Sequence, residues 1–529
     1  ASRINHGLVD SSLPVGPGLT LDESFNIGQG IYVFEAFLHH GPLLFTPSAA
    51  EEVFGDPAYL PDFPPLGRVI LGGAHQATSW AIPGAERSTF NIPAARLGSC
   101  LALAATVLLL MEFIRRKYDL ATAIAAAVFL LLMPRVIGHS RLATQEMGTT
   151  LVPLLVWWTG DALPTSRQCL ISGFLWGLLL LTKVQGLLLP PLVIGWAFWV
   201  FRWSAVRPLA LWGVTGLVVF YAGWPWLWLD PLGHTLQYVS STAERPTLYA
   251  WYLGQRFTDK AVPWHYPFVM TLATLPVSVT LFALWRVGAR QFTRAECLAA
   301  ASVFWPLIVF ALPGTPVYDG VRLFVGIMPL IAFIAGRGFV SALRLIAGRS
   351  RELKGPDSVA NPKWKMNVAR CCCVVALLTT ARQFAVQGPF CLEQYSLFAL
   401  GTQGAVDVLG LEASYWSDGL NGDFWKQVPE NSTVYVAPVS HQFQLSDIRH
   451  LVPVVGQRNI NLLPFEYQPD KQRGLVLLNH RLADLRPDLR KVPPGAKIVA
   501  ESRYRGVVLA RVIDTTEGTW SELSDWQEK

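Results

Sequence analysis

The chain has 529 residues, of which 52% are hydrophobic and only 15% charged, whereas soluble domains carry about 25% charged residues. That balance excludes an ordinary soluble globule and places the chain in a membrane. The net charge of +6 gathers in alternate loops between apolar runs, which argues against nucleic acid as a partner. The seven cysteines have no framework spacing; Cys100, Cys169, Cys297 and the Cys371-Cys372-Cys373 run sit in or beside apolar runs, where they read as small packing residues.

In chain order, residues 1–92 read as a first outer loop. Its start, ASRINHGLVD, is polar and carries no signal-like apolar core, so a preceding span is expected, trimmed or removed. The stretch LTLDESFNIGQGIYVFEAF follows, with Ile27, Ile31, Phe34 and Leu38 at helical spacing along one face. Thr20 and Glu23 match a capping box, and Asp22 falls in the first turn, where the helix dipole favours a negative charge. PDFPPLGRVILGG repeats the arrangement: Asp62 is placed to cap, Pro64 or Pro65 to fill the first helical position, and Arg68 follows within a turn. Both segments are expected to lie in the membrane interface.

Ten spans of roughly the length that crosses about 30 Å of hydrocarbon are expected at 93–114, 119–137, 142–160, 168–183, 184–201, 208–228, 267–285, 297–313, 321–337 and 367–385. Lys and Arg concentrate in alternate loops, at Arg115 to Lys117, Arg167, Arg202 and Arg207, Arg286 to Arg294, and Arg337 to Arg370, which the positive-inside rule makes cytoplasmic. The first loop and everything after about residue 386 then lie outside. Residues 386–529 are soluble in character, with β-branched runs STVYVAP, GLVLLN and RGVVLARVI between polar segments, and read as a small extracytoplasmic α/β domain. The fold class is therefore an α-helical polytopic membrane protein of three parts: loop 1–92, body 93–385 and domain 386–529.

The pair LDE, the segment DFPPLGR and Arg96 in AARLGS together resemble the polyprenyl-phosphate-sugar-dependent glycosyltransferases of the GT-C superfold, especially the protein O-mannosyltransferase and aminoarabinose transferase group. Phe63 stands where many members have His, and Arg68 where many have Lys. MPRVIGHSRLATQEMG resembles the family's second outer loop, with Arg141 and Glu146 in place of an arginine and the commoner aspartate. LLLLTKVQGLLLPP resembles its broken pair of short helices, and PVYDGVRLF a later outer loop. The resemblance covers most of residues 19–340.

It implies an inverting transfer of a sugar from a polyprenyl-phosphate donor to an extracytoplasmic hydroxyl acceptor, in protein, lipid or glycan. A carboxylate takes the acceptor proton while cations stabilise the departing phosphate. Asp22 is the expected base, with Glu23 and Asp62 orienting the acceptor or tuning Asp22 by like-charge repulsion. Arg68, Arg96, Arg141, Lys183 and Arg322, together with Glu146, are the expected substrate-binding residues, the arginines offering two-pronged phosphate contacts. The bland alternatives are capping for Glu23, a structural pair for Glu146, and snorkelling to water for the arginines. No cofactor is required, and a divalent metal on Asp22, Glu23 and Asp62 stays open. The rival reading is a transporter or flippase of lipid-linked saccharides; such folds show paired broken helices, and this chain shows one pair.

Overall fold

Two negative charges do open a helix at the start of the first loop. In a computed structural model of the chain the described residues are 18–79, 91–144, 162–243, 246–289, 292–348, 363–386, 390–438, 442–466, 474–518 and 520. Helix α1 (Leu21–His40) follows Thr20, whose N–H donates to the Glu23 carboxylate at 2.9 Å in a capping box. Ile27 on its expected apolar face is fully buried, while Leu38 near its end is exposed. Helices α2 (Pro47–Phe54) and α3 (Pro65–Thr78) complete the loop. The cap of α3 is Pro64, not Asp62, because Pro65 at the first helical position holds its predecessor extended. Where α1 and α3 cross, a Cβ on Gly30 would strike the Arg68 carbonyl and one on Gly72 the Gly30 carbonyl, so only glycine permits this approach.

The body follows as α4 (Ile92–Lys117), α5 (Leu120–Leu131), α6 (Pro134–Ser140), α7 (Ser166–Leu180), α8 (Leu189–Phe201), α9 (Val206–Ala222), α10 (Pro231–Ala243), α11 (Tyr266–Thr274), α12 (Val277–Gly288), α13 (Arg294–Ala311), α14 (Met328–Ile346) and α15 (Lys363–Val386). By length and composition, four stretches can cross a membrane: Ile92–Lys117, Val184–Ala222, Arg294–Ala311 and Arg322–Ile346. The bent pairs α5 with α6 (72°) and α11 with α12 (116°) raise this to six.

The expectation of ten spans divides accordingly. Val184–Ala222 covers two of them, and its 39 residues would be about 58 Å long as one straight helix, so the 3₁₀ turn at Arg202–Ala205 separates α8 from α9. Helix α7 has 15 residues and gains its support laterally, Trp176 stacking on Trp212 of α9 with ring centroids 4.5 Å apart. Helix α15 sits where the tenth span is expected but is not among the candidates, as Arg370 and Arg382 interrupt its apolar run. The expected span 142–160 lies almost entirely outside the described residues.

At the end of the body away from α1, Glu296 is fully buried and accepts from Arg286 Nε at 2.5 Å and Arg337 Nε at 3.0 Å. One carboxylate thus ties α12, α13 and α14 together. Among the described residues the C-terminal region carries a five-stranded sheet in the order β4-β3-β5-β7-β6, from β3 (Thr433–Ala437), β4 (Asn461–Pro464), β5 (Leu475–Asn479), β6 (Lys497–Tyr504) and β7 (Val507–Asp514); a hairpin of β1 (Tyr249–Tyr252) and β2 (Gln255–Thr258) precedes it. Strand β3 pairs parallel with β4 and β5, while β7 is antiparallel to β5 and β6. One sheet face shares its apolar core with the first loop: Val434, Phe424 and Trp425 cluster with Ile27, Leu71 and Ala95. The domain is therefore packed directly on the helices that carry Asp22.

Candidate active site

Asp22, Phe25 and Asn26 share one face of α1, being three and four residues apart. They form one wall of a cavity of about 410 Å³ whose other walls are Phe63, Thr144, Lys183 and Arg322. Three expected site residues from distant parts of the chain, Asp22, Lys183 and Arg322, therefore meet in one space. Lys183 is delivered by the break between α7 and the 3₁₀ turn Val184–Leu188, and Arg322 by the first residue of another 3₁₀ turn, Arg322–Ile327. Asp22 Oδ2 accepts from Arg322 Nη2 at 2.7 Å, and 38% of the Asp22 side chain remains exposed. An acceptor can reach that carboxylate.

Glu23 differs completely from its neighbour. Its side chain is 0% exposed; Arg96 donates through Nε to Oε1 and through Nη2 to Oε2, each at 2.7 Å. The Ala143 N–H adds 2.7 Å to Oε1, and Arg96 Nη2 also reaches the Gly18 carbonyl at 2.7 Å. Glu23 was expected to orient the acceptor or tune Asp22, and Arg96 to bind substrate; in the structure the pair ties α1 to α4 and to Ala143, with both Glu23 oxygens engaged in the interior.

Other expected residues lie at or behind the wall. Arg68 is buried, donates to the Leu60 carbonyl at 2.6 Å, and lies against the rings of Phe25 and Phe63, its guanidinium carbon 4.7 and 5.2 Å from their centroids. It backs the aromatic wall without lining it, and burial pulls its pKa down to about 10. Asp62 is exposed and does not line the cavity, although Phe63 beside it does. Arg141 is half-buried, with Nη1 3.2 Å from Cys391 Sγ. Glu146 lies outside the described residues. Among the described residues no three His, Cys, Asp or Glu side chains gather to hold a metal ion; Asp22, Glu23 and Asp62 accordingly do not form the trio considered from sequence.

The family comparison is decisive for the middle of the chain. Residues 80–227 match the family model of dolichyl-phosphate-mannose-protein mannosyltransferase. The match covers less than a third of the chain, and over that segment the chain is similar to the protein mannosyltransferase family. The resemblance to that group agrees with this match, which contains Arg96, Arg141 and Lys183, while the LDE and DFPPLGR motifs with Asp22, Asp62 and Arg68, and Arg322, lie outside it. No curated protein matches the chain. Among solved structures, the chain is similar to ArnT from Cupriavidus metallidurans bound to undecaprenyl phosphate, at 14% identity over 97% of this chain and 96% of that one, with a TM-score of 0.48. The apo state of the same protein gives 15% identity over 94% of each chain and a TM-score of 0.46. Archaeal oligosaccharyltransferase AglB from Archaeoglobus fulgidus gives 14% identity over 90% of this chain and 67% of that one, with a TM-score of 0.41. At these identities and scores no residue role is carried across.

Sequence reasoning missed the residues that fix Arg322. Asp319, 3% exposed, accepts from Arg322 Nη1 at 2.9 Å and from Arg481 Nη2 at 3.3 Å. Burial raises the Asp319 pKa, and the two guanidiniums oppose that rise. Trp416 supplies a ring face 4.6 Å from the Arg322 guanidinium carbon. The C-terminal domain thus reaches the helical body through Arg481, Asp319, Arg322 and Asp22 in sequence. The one available signal was the place of Arg481 just beyond the end of strand β5. Arg481→Gln is expected to leave the fold intact while lowering transfer about tenfold through a mis-set Arg322; an unchanged rate, with thermal stability also unchanged, would remove Arg481 from the positioning chain.

The seam between domain and body also holds buried carboxyls whose pKa burial raises. Glu412 accepts from the Ala483 N–H at 2.8 Å in a buried loop, and burial pushes its pKa up to about 8. A carboxyl whose folded pKa exceeds its unfolded value binds more protons when folded. Its stabilising effect is complete below the ordinary carboxylate range and is lost as pH rises through about 8. Burial raises Glu393 and Asp418 as well. Thermal unfolding of the protein is therefore expected to come earlier as pH rises across this window, and Glu412→Gln to flatten the slope; an equal slope in the variant would assign the titration elsewhere.

Proposed function

We propose that the chain is an integral-membrane inverting glycosyltransferase that moves a sugar from a polyprenyl-phosphate carrier to a hydroxyl acceptor on the extracytoplasmic face. The observation that carries this reading is the cavity in which one half-open carboxylate, Asp22, meets Lys183 and Arg322. The chain segments bearing those cations also wall an apolar groove of about 470 Å³ lined by Leu188, Leu192, Trp305, Leu323 and Phe324 among others. Charge for a phosphate and an apolar path for its tail are thus one or two residues apart: Lys183 beside Val184 and Gln185, Arg322 beside Leu323. The match of residues 80–227 to the mannosyltransferase family supports the donor class.

In the step proposed, the donor phosphate competes with Asp22 for Arg322, and Lys183 adds a second cation. Release of Arg322 frees Asp22 to accept the acceptor proton as its oxygen bonds to the anomeric carbon. The bond from that carbon to the phosphate oxygen breaks on the opposite side, and polyprenyl phosphate leaves with the electron pair. Attack opposite the leaving group inverts the anomeric centre.

The test is transfer by the purified chain from polyprenyl-phosphate carriers bearing different labelled sugars, with nuclear magnetic resonance reading the product's anomeric configuration. An inverted glycoside together with released polyprenyl phosphate is the expected result. A retained configuration, or movement of intact carrier across vesicles without cleavage, would overturn it.

A further inference from the structure

A second crevice, of about 460 Å³, lies where the bend between α11 and α12 meets α15 and the C-terminal domain. It shares no lining residue with the reaction cavity. Thr274 and Pro276 line it from the bend, Thr379 and Arg382 from α15, and Gln394 and Arg505 from the domain side. Gln394 is 6% exposed, and its Nε2 makes no hydrogen bond of good geometry among the described residues, with the Tyr504 hydroxyl its neighbour. Arg505 Nε also lacks one, and the residue is held at φ 50°. Among the described residues no carboxylate lines the crevice.

The twelve-residue helix α12 begins at Val277 after Pro276, so its unbonded first-turn N–H groups and the positive end of its dipole open here. Two arginines, a residue with a buried amide and the start of α12 thus line one crevice, with no carboxylate among the described lining residues. The apolar surroundings select among anions. Leu378, one turn before Arg382 on the same face of α15, is exposed; so are Leu397, which lines the crevice, and Phe398. Such a skirt suits acyl chains and offers nothing to a free ion.

We infer that this crevice binds the phosphate of an anionic phospholipid, seating its chains on α15 and residues 397–398 and joining the C-terminal domain to the body. The site does not depend on the transferase reading, since it uses none of its residues.

The experiment is native mass spectrometry of the full detergent-purified chain with phosphatidylglycerol, phosphatidylcholine and inorganic phosphate as probes. Phosphatidylglycerol is expected to be retained at least about tenfold over phosphatidylcholine, the scale of one charge-assisted hydrogen bond. The double variant Arg382→Gln/Arg505→Gln should lose that preference, and Arg382→Lys/Arg505→Lys should keep most of it. Lys183→Gln should leave it unchanged. Equal retention of both lipids, a preference that survives the glutamine pair, or loss of the preference in Lys183→Gln would overturn the inference. Displacement of phosphatidylglycerol by inorganic phosphate would also overturn it, by showing a free-anion site.

Discussion

Asp22→Asn is expected to lower sugar transfer about 10² to 10⁴-fold, the range a positioned general base supplies, with thermal stability unchanged. The substitution preserves size and leaves an amide oxygen to accept from Arg322, which now sits 2.7 Å from Asp22 Oδ2. Donor binding should persist or tighten, because the phosphate no longer competes with a carboxylate for that guanidinium. The measurement is transfer rate alongside donor affinity. Full transfer by the variant would displace Asp22 from the role of base, and loss of donor affinity would mean that its charge serves binding.

One residue further on, the opposite outcome is expected. Glu23→Ala should destabilise the protein by about 3–5 kcal/mol, since it strands a buried guanidinium that the interior cannot solvate. Arg96 is 1% exposed and would retain only its bond to the Gly18 carbonyl among those described above. The Ala143 and Thr20 N–H groups would lose their acceptor too. Thermal unfolding should come markedly earlier, and activity should fall with the folded fraction. The double variant Glu23→Met/Arg96→Met should recover part of the stability, because removing both charges leaves neither unpaired. If Glu23→Ala kept wild-type stability but lost transfer, Glu23 would belong with the reacting groups.

The contrast between these adjacent residues shows what the sequence made legible. Helix α1 and the Glu23 half of its capping box follow from local spacing and stand where expected, and the break that presents Lys183 stands where the family resemblance implied it. The division of labour between Asp22 and Glu23 does not, because a helix places successive residues about 100° apart and only the neighbours decide which faces the cavity. Those neighbours are remote: Arg96 is 73 residues from Glu23, Arg322 is 300 from Asp22, and Arg481 is 162 from Asp319. Arginines near the ends of spans all look alike in sequence. Their partners separate them, into a residue bound to Glu23 (Arg96), one packed behind the aromatic wall (Arg68) and one lining the cavity (Arg322). Asp62 was misplaced as a cap for a local reason, the paired prolines after it.

The fork of Arg322 is divided between Asp22 and Asp319 before any substrate arrives. In that state the base is engaged by a cation, and an acceptor entering first meets a carboxylate already neutralised. Only a phosphate able to draw the Nη2 prong away arms it. With Asp22 as base, the expected order is donor before acceptor, and acceptor affinity measured with and without bound donor checks it.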